Sequence, residues 1–316
     1  MYNTYKWLII LNGDYMLVID YSVIKDNMIN LKGKNKLILS LKNDAYGFKI
    51  DKIVGIADKL GINEFMVLNI LDAIKIRKIS NEYKIIMAGP ILLTRDEYLN
   101  YNILPTVTTI EEYIFCRTNK IPFYIKIKSS MNRFGLELRK NMLKDNLAIG
   151  CYIYAAKRDQ NIINNIEYYD SIIKPYNKDF HFGGGILSGI NGKLRVGALL
   201  YKGCRSFYAY ILKVGYLKKG DSLGYNLAYI ADRNHFYAIL DVGYYNGIKK
   251  DFKGYVYREG KRYNVIGVVC MNNTFIYADS DFYPGEMVEF FGSNINEDIF
   301  LAYNDNSLYE SFFSIK

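Results

Sequence analysis

Apolar residues in the first two thirds of the chain alternate between two spacings. Continuous apolar runs of strand length, for example residues 37–41 and 84–87, are followed by segments in which apolar side chains recur every three or four residues. The first pattern is typical of a buried strand and the second of an amphipathic helix. The helical spacing is clearest at Ile50, Ile53, Val54, Ala57 and Leu60. The pattern therefore predicts strands that alternate with helices.

This alternation recurs at least six times between about residue 15 and residue 205. One predicted helix begins with a capping box, in which Thr109 is followed three residues later by Glu112. Strands that alternate with helices favour a parallel sheet with crossover helices. So many units in so short a stretch favour a closed (β/α)8 barrel of the TIM type over an open sheet.

The pattern changes after residue 205. Helical spacing disappears, and short β-rich segments such as 208–214 are separated by turn residues such as Asn246-Gly247. Regularly spaced short strands with turn signals predict a β domain. We therefore expect an α/β barrel domain over residues 1–205 and a C-terminal mainly-β domain over residues 206–316.

Composition excludes several classes of protein. The chain has 316 residues, of which 50% are hydrophobic and 23% charged, as in a folded protein rather than a disordered or fibrous one. Its 41 basic and 32 acidic residues give a net charge of +9. The basic residues are dispersed and match no nucleic-acid-binding motif. A nucleic-acid binder is therefore the least favoured of the functions that we consider.

Cysteine and histidine usage argues against metal and triad chemistry. The four cysteines form no CxxC pair and there are only two histidines, which disfavours a zinc ribbon, a His-built metal centre and a Ser-His-Asp triad. The apolar run at residues 7–11 is too short for a signal peptide core or a membrane span. We expect a cytoplasmic protein with reduced thiols, no metal and no membrane partner.

A lysine follows the first predicted barrel strand. Lys42 stands directly after Leu41, where the end of a strand opens into the barrel mouth in which such folds build active sites. In a desolvated pocket a lysine loses part of its preference for the charged form. The neutral amine can then add to a carbonyl carbon or act as a base. The position alone does not establish a function, because most lysines after a strand are solvated.

The residues around this lysine resemble the signature of the alanine racemase family. The segment Lys42-Asn43-Asp44-Ala45-Tyr46-Gly47 is similar to that family's lysine, two variable residues and Ala-Tyr-Gly. Further similar segments follow in the family's order: Val18-Ile19-Asp20 with Asn27, 71–77, 125–135, 194–201, Gly224-Tyr225, 243–247 and Cys270-Met271-Asn272. Each match alone is weak, but their order along the chain makes the resemblance specific.

The resemblance implies an amino-acid racemase that depends on pyridoxal 5′-phosphate (PLP). Lys42 would carry PLP and act as the base on one face of the substrate α-carbon, and Tyr225 of the partner subunit would be the base on the other face. Two bases are needed because the proton leaves one face and arrives on the other. Arg195 would donate a hydrogen bond to the pyridine nitrogen, since a guanidinium donates but does not accept.

The same resemblance implies contacts to phosphate and substrate. Tyr46 would touch the phosphate beside the backbone N–H groups of Gly197 and Ala198. Arg133 would reach the phenolic oxygen of PLP and the substrate carboxylate. Lys126 matches a position that can be carbamylated and would then hold Arg133 in place. The residues that would line the substrate entrance from the partner subunit are Tyr244 and Met271.

Several positions depart from the family pattern. Tyr154 stands where the family has a histidine that stacks on the pyridine ring, and a phenol can also stack there. Gly184-Gly185 stand where an Asn-Ser pair contacts the phosphate, and glycine lets backbone amides approach an anion instead. The two positions at which an aspartate is replaced are Lys128 and Asn272. The chain also ends, over residues 309–316, without the family's closing strand.

The resemblance leaves the exact function open. The simplest expectation is a homodimer with shared active sites that interconverts L- and D-alanine, as a supply of D-alanine for the peptidoglycan of the cell wall. The alternatives are a relative that acts on another amino acid, for example serine, and a non-catalytic PLP-binding homologue. A shared fold does not decide between them. An obligate dimer favours the enzyme, and a stable monomer favours the binding role.

Overall fold

The computed structural model describes residues 8–11 and 15–315, which form two units. One unit is Lys25–Leu200, and the other consists of the residues up to Ile24 together with Tyr201–Lys316. Part of the N-terminal apolar run, Trp7, lies outside the described residues.

The unit Lys25–Leu200 contains a closed barrel of eight parallel strands. Each strand pairs with its neighbour in the chain, and the ring closes where the last strand pairs with the first, with Arg195 opposite Ile38. The predicted (β/α)8 barrel is confirmed. In order, the strands are Lys36–Ser40, Glu64–Val67, Lys84–Met87, Ile103–Val107, Phe123–Lys126, Ala148–Tyr154, Asp179–Gly183 and Lys193–Val196.

The connecting helices follow the sequence signals. Thr109 and Glu112 form the predicted capping box at the start of the helix Ile110–Thr118. The buried face of the helix Ile50–Lys59 consists of Ile50, Ile53, Val54, Ile56 and Ala57. The other helices are Tyr21–Lys32, which contains the boundary between the units, Ile70–Arg77, Arg95–Asn100, Lys140–Leu143 and Gln160–Ile173.

The two ends of the barrel differ in chemistry. At the N-terminal ends of the strands, Lys84 and Lys193 form ion pairs with Glu64 and Asp179. Above this layer the barrel interior is filled by Ile38, Met66, Ile86, Tyr124 and Tyr152. Groups at the N-terminal end of such a barrel serve stability, whereas the C-terminal ends of the strands carry the chemistry.

The second unit is built on an antiparallel sheet of eight strands, which confirms the mainly-β prediction. In sheet order the strands are Leu8–Leu11, Tyr15–Ile19, Arg205–Leu217, His235–Leu240, Thr274–Ala278, Lys261–Ile266, Tyr255–Arg258 and Met287–Phe291. The strand Arg205–Leu217 also pairs with Met287–Phe291. A separate two-stranded sheet joins Ser222–Leu223 to Tyr229–Ile230.

Two features of this unit differ from the sequence analysis. The strand Tyr15–Ile19 pairs with Arg205–Leu217, so the residues before Lys25 belong to this unit and not to a barrel domain of residues 1–205. An apolar run predicts a strand but does not predict which strand it pairs with. Here the partner strand lies about 190 residues further along the chain.

The second difference is at the C-terminal end of the chain. Two helices, Glu297–Tyr303 and Leu308–Ser314, follow the strands in a region for which only β structure is predicted. Ser307 and Glu310 form a capping box that could have indicated the second helix. The side chain of Arg205 is buried and donates hydrogen bonds to Glu297 and Ser311, so it joins both helices to the sheet.

Three general properties bear on function. All four cysteines are buried and free. None of the helices in residues 8–11 and 15–315 is long and apolar enough to cross a bilayer. Over the same residues, no group of three or more His, Cys, Asp or Glu side chains is placed to hold a metal ion.

Candidate active site

Lys42 lies in the mouth of the barrel, just beyond the C-terminal end of the strand Lys36–Ser40. Its Nζ atom is 5.2 Å from the centroid of the Tyr46 ring. Burial lowers the pKa of Lys42, and the positive charges of Arg133 and Arg195 lower it further. A larger fraction of this amine is therefore neutral, as a nucleophile or base requires.

A left-handed turn connects Lys42 to Tyr46. The φ angles of Asn43, Asp44, Ala45 and Tyr46 lie between 54° and 61°. Each non-glycine residue in this conformation costs about 1–2 kcal/mol. Consecutive strained residues persist only where the surroundings hold them, and they cluster at functional sites.

Two carboxylates hold this turn. Asp72 accepts hydrogen bonds from the backbone N–H of Asp44, at 3.4 Å, and from Asn69 Nδ2, at 2.9 Å. The carboxylate of Asp44 accepts from the backbone N–H of Ile50, at 3.2 Å, and from Lys75 Nζ, at 3.1 Å. The turn is thus tied to both neighbouring helices, which fixes the spacing between Lys42 and the Tyr46 ring.

Arg195 enters the same mouth from the strand Lys193–Val196 and is 8% exposed. Its guanidinium carbon lies 4.5 Å from the centroid of the Tyr152 ring and 5.8 Å from that of Tyr154. Nη1 has no hydrogen-bond partner in the described part of the chain. On the other side lies Gly183, where a Cβ atom would overlap Nη2 of the guanidinium. The glycine therefore leaves the space that Arg195 occupies.

Arg133 and Lys126 form the third side of the mouth. Lys126 ends the strand Phe123–Lys126, and its Nζ atom is 5.3 Å from the Phe134 ring centroid. Burial lowers the pKa of Lys126 to about 8, with further contributions from Arg133 and Arg195. Gly135, with a φ of 133°, lets the loop that carries Arg133 return to the barrel, since a Cβ there would lie 2.8 Å from the Lys128 nitrogen.

The loop after the last strand lies beside Tyr46, and the loop after the seventh strand lies against it. A Cβ on Gly197 would overlap the Tyr46 hydroxyl oxygen, so only glycine permits this approach. A Cβ on Gly185 would lie 3.2 Å from Leu199 Cβ, which places the two loops in contact. Ala198 begins the short turn that follows Gly197. The phenol and the glycine-rich backbone thus occupy one side of the mouth.

The remaining three predicted residues lie in the sheet unit, on turns. Tyr225 is 50% exposed and follows Gly224, which has a φ of 78°. Tyr244 and Met271 are 40% and 48% exposed and lie on adjacent segments, since the Tyr245 N–H donates to the Met271 carbonyl at 3.0 Å. Their side chains are therefore available for contacts outside this unit.

Tyr152 was not among the predicted site residues, although its ring lies closest to the Arg195 guanidinium carbon among the described rings. Side chains two residues apart on a strand point to the same side, so the choice of Tyr154 as a site residue could have included Tyr152. Gly183 was not predicted either, because glycine offers no side chain to match with a role.

Comparison with known proteins shows the family to which the chain belongs. Residues 19–148 match the family model of the alanine racemase N-terminal domain, and residues 204–316 match that of the alanine racemase C-terminal domain. The alanine racemase of Borreliella burgdorferi strain ZS7 is 25% identical over 93% of this chain and 93% of its own length.

Solved structures show the same fold. The alanine racemase from Acinetobacter baumannii superposes with a TM-score of 0.82 at 18% identity, over 96% of this chain and 97% of that one. The alanine racemase from Bartonella henselae, solved with covalently bound pyridoxal phosphate, has a TM-score of 0.81 at 19% identity and the same coverage of the two chains. The N-terminal and C-terminal domain models match the chain in the family's order, as do the barrel and the sheet domain. The chain therefore belongs to the alanine racemase family.

Proposed function

We propose that this chain is a PLP-dependent racemase that interconverts L- and D-alanine. The observation that carries the proposal is the meeting of Lys42 and Arg195 in the barrel mouth, where a lysine with a lowered pKa lies beside a buried guanidinium. The Nη1 donor of that guanidinium has no partner among the described side chains and backbone groups.

The residues present fit PLP. The unpartnered donor of Arg195 suits the pyridine nitrogen, which in this contact can only accept. Tyr46 and the backbone at Gly185, Gly197 and Ala198 offer the small, donor-rich surface that a phosphate requires. Lys42 supplies the amine that would react with the aldehyde group of PLP. When bound, PLP withdraws electrons from the substrate α-carbon and so makes its proton removable.

Lys42 and Tyr225 then move the proton. The neutral amine of Lys42, which the lowered pKa favours, accepts or returns the α-proton on one face. Tyr225 of the partner subunit does so on the opposite face, and its half-exposed position on a turn supports a contact with another copy. Arg195 would donate to the pyridine nitrogen without protonating it, which would limit the electron withdrawal and suppress side reactions.

Arg133 would hold the substrate carboxylate, and Lys126 would hold Arg133 in place. The planar guanidinium of Arg133 suits paired oxygens, and Phe134 lies beside both cations. We propose that Lys126 is carbamylated in the enzyme. Its pKa of about 8 leaves part of the amine neutral and able to react with carbon dioxide, and the anionic carbamate would lie near the charges of Arg133 and Arg195.

The assembly proposed for this enzyme is a homodimer in the cytoplasm. Each barrel mouth would receive Tyr225, Tyr244 and Met271 of the partner subunit as base and entrance residues. D-alanine from this reaction would supply peptidoglycan precursors.

Formation of D-alanine from L-alanine by the purified protein, with and without added PLP, tests the function. Other L-amino acids, serine included, are assayed alongside to define the substrate. Lys42→Ala should abolish turnover and the visible absorption of the bound cofactor. A wild-type protein that takes up no PLP, or takes it up without racemising any amino acid, would contradict the proposal.

The two-base assignment has its own test. Tyr225→Phe should abolish racemisation but preserve exchange of the α-proton with deuterated water in one enantiomer, the one whose proton faces Lys42. Tyr283→Phe is the matched control, because Tyr283 is a 58% exposed tyrosine of the same unit with no assigned role. Unchanged racemisation in Tyr225→Phe would show that the second base is another group.

A further inference from the structure

The electrostatic partners that favour the charge of Arg195 are phenols. Burial lowers the pKa of Arg195, and the groups that oppose this effect are the phenols of Tyr152, Tyr154 and Tyr46 rather than a carboxylate. A carboxylate would hold the guanidinium by taking up its N–H donors. The arginine must therefore be held in another way, because a buried cation without a compensating contact is strongly disfavoured.

The aromatic ring of Tyr152 provides that contact. Tyr152 is 2% exposed, and the guanidinium carbon of Arg195 lies 4.5 Å from its ring centroid. Burial raises the pKa of Tyr152, so the phenol is neutral and the attraction is that of a cation for a ring face. Such an attraction is strongest where water is excluded, and it leaves the N–H groups in the guanidinium plane available.

His181 holds the Tyr152 ring in place. Tyr152 stacks on His181, with the ring centroids 4.8 Å apart and the planes at 15°. Burial lowers the pKa of His181, as does the charge of Arg195, so the imidazole is neutral and adds no repulsion. The absence of a side chain at Gly183 leaves room for the Arg195 guanidinium to reach the ring.

We propose that Tyr152 is a positioning residue for Arg195, which holds the guanidinium by its ring face so that the Nη1 donor stays available to the pyridine nitrogen of PLP. This inference rests on the proposed function, since it assigns a purpose to the donor that Arg195 leaves without a protein partner. It also gives a physical reason for an arginine and a buried tyrosine on the two strands that flank Asp179–Gly183: the ring attracts the charge and leaves the Nη1 donor available.

Two substitutions of the same residue test the proposal. Tyr152→Phe keeps the ring face and removes the hydroxyl, with its 3.4 Å contact to Thr106 Oγ1 and its polar interaction with Arg195. Tyr152→Met keeps a side chain of similar apolar character and removes the ring. Two properties are measured on each purified protein, the dissociation constant of PLP by titration and the position of the visible absorption maximum of the PLP-loaded protein.

We expect Tyr152→Phe to bind PLP within about threefold of wild type and with an unchanged absorption maximum. Tyr152→Met should raise the dissociation constant by about 10- to 30-fold, the factor that a desolvated cation–π contact provides. It should also shift the absorption maximum, because the donor that faces the pyridine nitrogen moves. A methionine variant that matches the phenylalanine variant in both properties would overturn the proposal.

A third variant keeps the test decisive if Tyr152→Met does not fold. Gly183→Ala pushes the guanidinium from the opposite side and should give the same loss of affinity and the same kind of spectral shift. If its spectrum and affinity equal those of wild type, the proposal is wrong. Failure of the proposed function looks different, because wild type itself would then take up no PLP or bind it independently of Lys42.

Discussion

Replacing Lys126 by methionine should stabilise the PLP-free protein near neutral pH and have little effect in alkali. Burial, Arg133 and Arg195 lower the pKa of Lys126 from 10.5 to about 8. At about 1.36 kcal/mol per pKa unit, this difference corresponds to a cost of about 3 kcal/mol for keeping the folded-state ammonium charged. The partial exposure of the side chain reduces the expected value to about 2–3 kcal/mol.

The sign of the pH dependence follows from the lowered pKa. Below about pH 8 the lysine is protonated in both states, so the folded protein bears the full cost. Between about pH 8 and pH 10.5 the unfolded chain binds the proton and the folded protein does not, so wild-type stability rises with pH. The advantage of Lys126→Met should therefore fall from about 2–3 kcal/mol at pH 7 to below about 1 kcal/mol at pH 10.

Urea unfolding of the apoprotein between pH 7 and pH 10, in buffer freed of bicarbonate, measures this difference. Lys128→Met is the matched control, because the Lys128 side chain is 53% exposed and its removal should change stability by less than about 0.5 kcal/mol at every pH. Added bicarbonate should stabilise wild type but not Lys126→Met if the carbamate forms. A difference between wild type and Lys126→Met that stays constant with pH would refute the reasoning.

Three further substitutions test the neighbouring features. Gly197→Ala should raise the PLP dissociation constant about tenfold in a binding titration, because the new methyl group displaces the Tyr46 hydroxyl; unaltered affinity would show that Tyr46 does not contact the phosphate. Asp72→Ala should lower the free energy of unfolding by about 1–3 kcal/mol, since buried donors around the left-handed turn lose their acceptor; an unchanged urea midpoint would contradict this. Lys49→Gly should raise the thermal midpoint, because Lys49 has a φ of 70° that suits glycine and its ion pair with Asp44 is exposed and weak; a lower midpoint would show that the ion pair outweighs the strain.

The barrel could be predicted because its evidence is local. Strands such as Lys84–Met87 are short apolar runs, and the helix Ile110–Thr118 begins at a capping box, so periodicity and end signals both lie within a few residues. The pairing of Tyr15–Ile19 with Arg205–Leu217 is non-local, and nothing in either segment specifies the other. The unit boundary at Lys25 therefore needed the structure.

The site could be predicted in part for a related reason. Lys42, Tyr46, Arg133 and Arg195 were found from the family resemblance, and the structure brings them into one barrel mouth with Lys126. The sequence pattern could not give the left-handed turn after Lys42, because none of its four strained residues is glycine.

Two other contributions to the site were also hidden from the sequence. The role of Tyr152 depends on the distance between two side chains on different strands, and that of Gly183 depends on space that a side chain would fill. Both are properties of the packed barrel and have no counterpart in the spacing of residues along the chain.

Borohydride reduction of the PLP-loaded protein, followed by digestion and peptide mass analysis, tests the central claim most directly. Lys42 and Lys126 are both lysines of lowered pKa in the barrel mouth, so the experiment must distinguish them. The account predicts a phosphopyridoxyl group on the peptide that contains Lys42 and none on the peptide that contains Lys126. A label on Lys126 or on any other lysine, or no label at all, would contradict it.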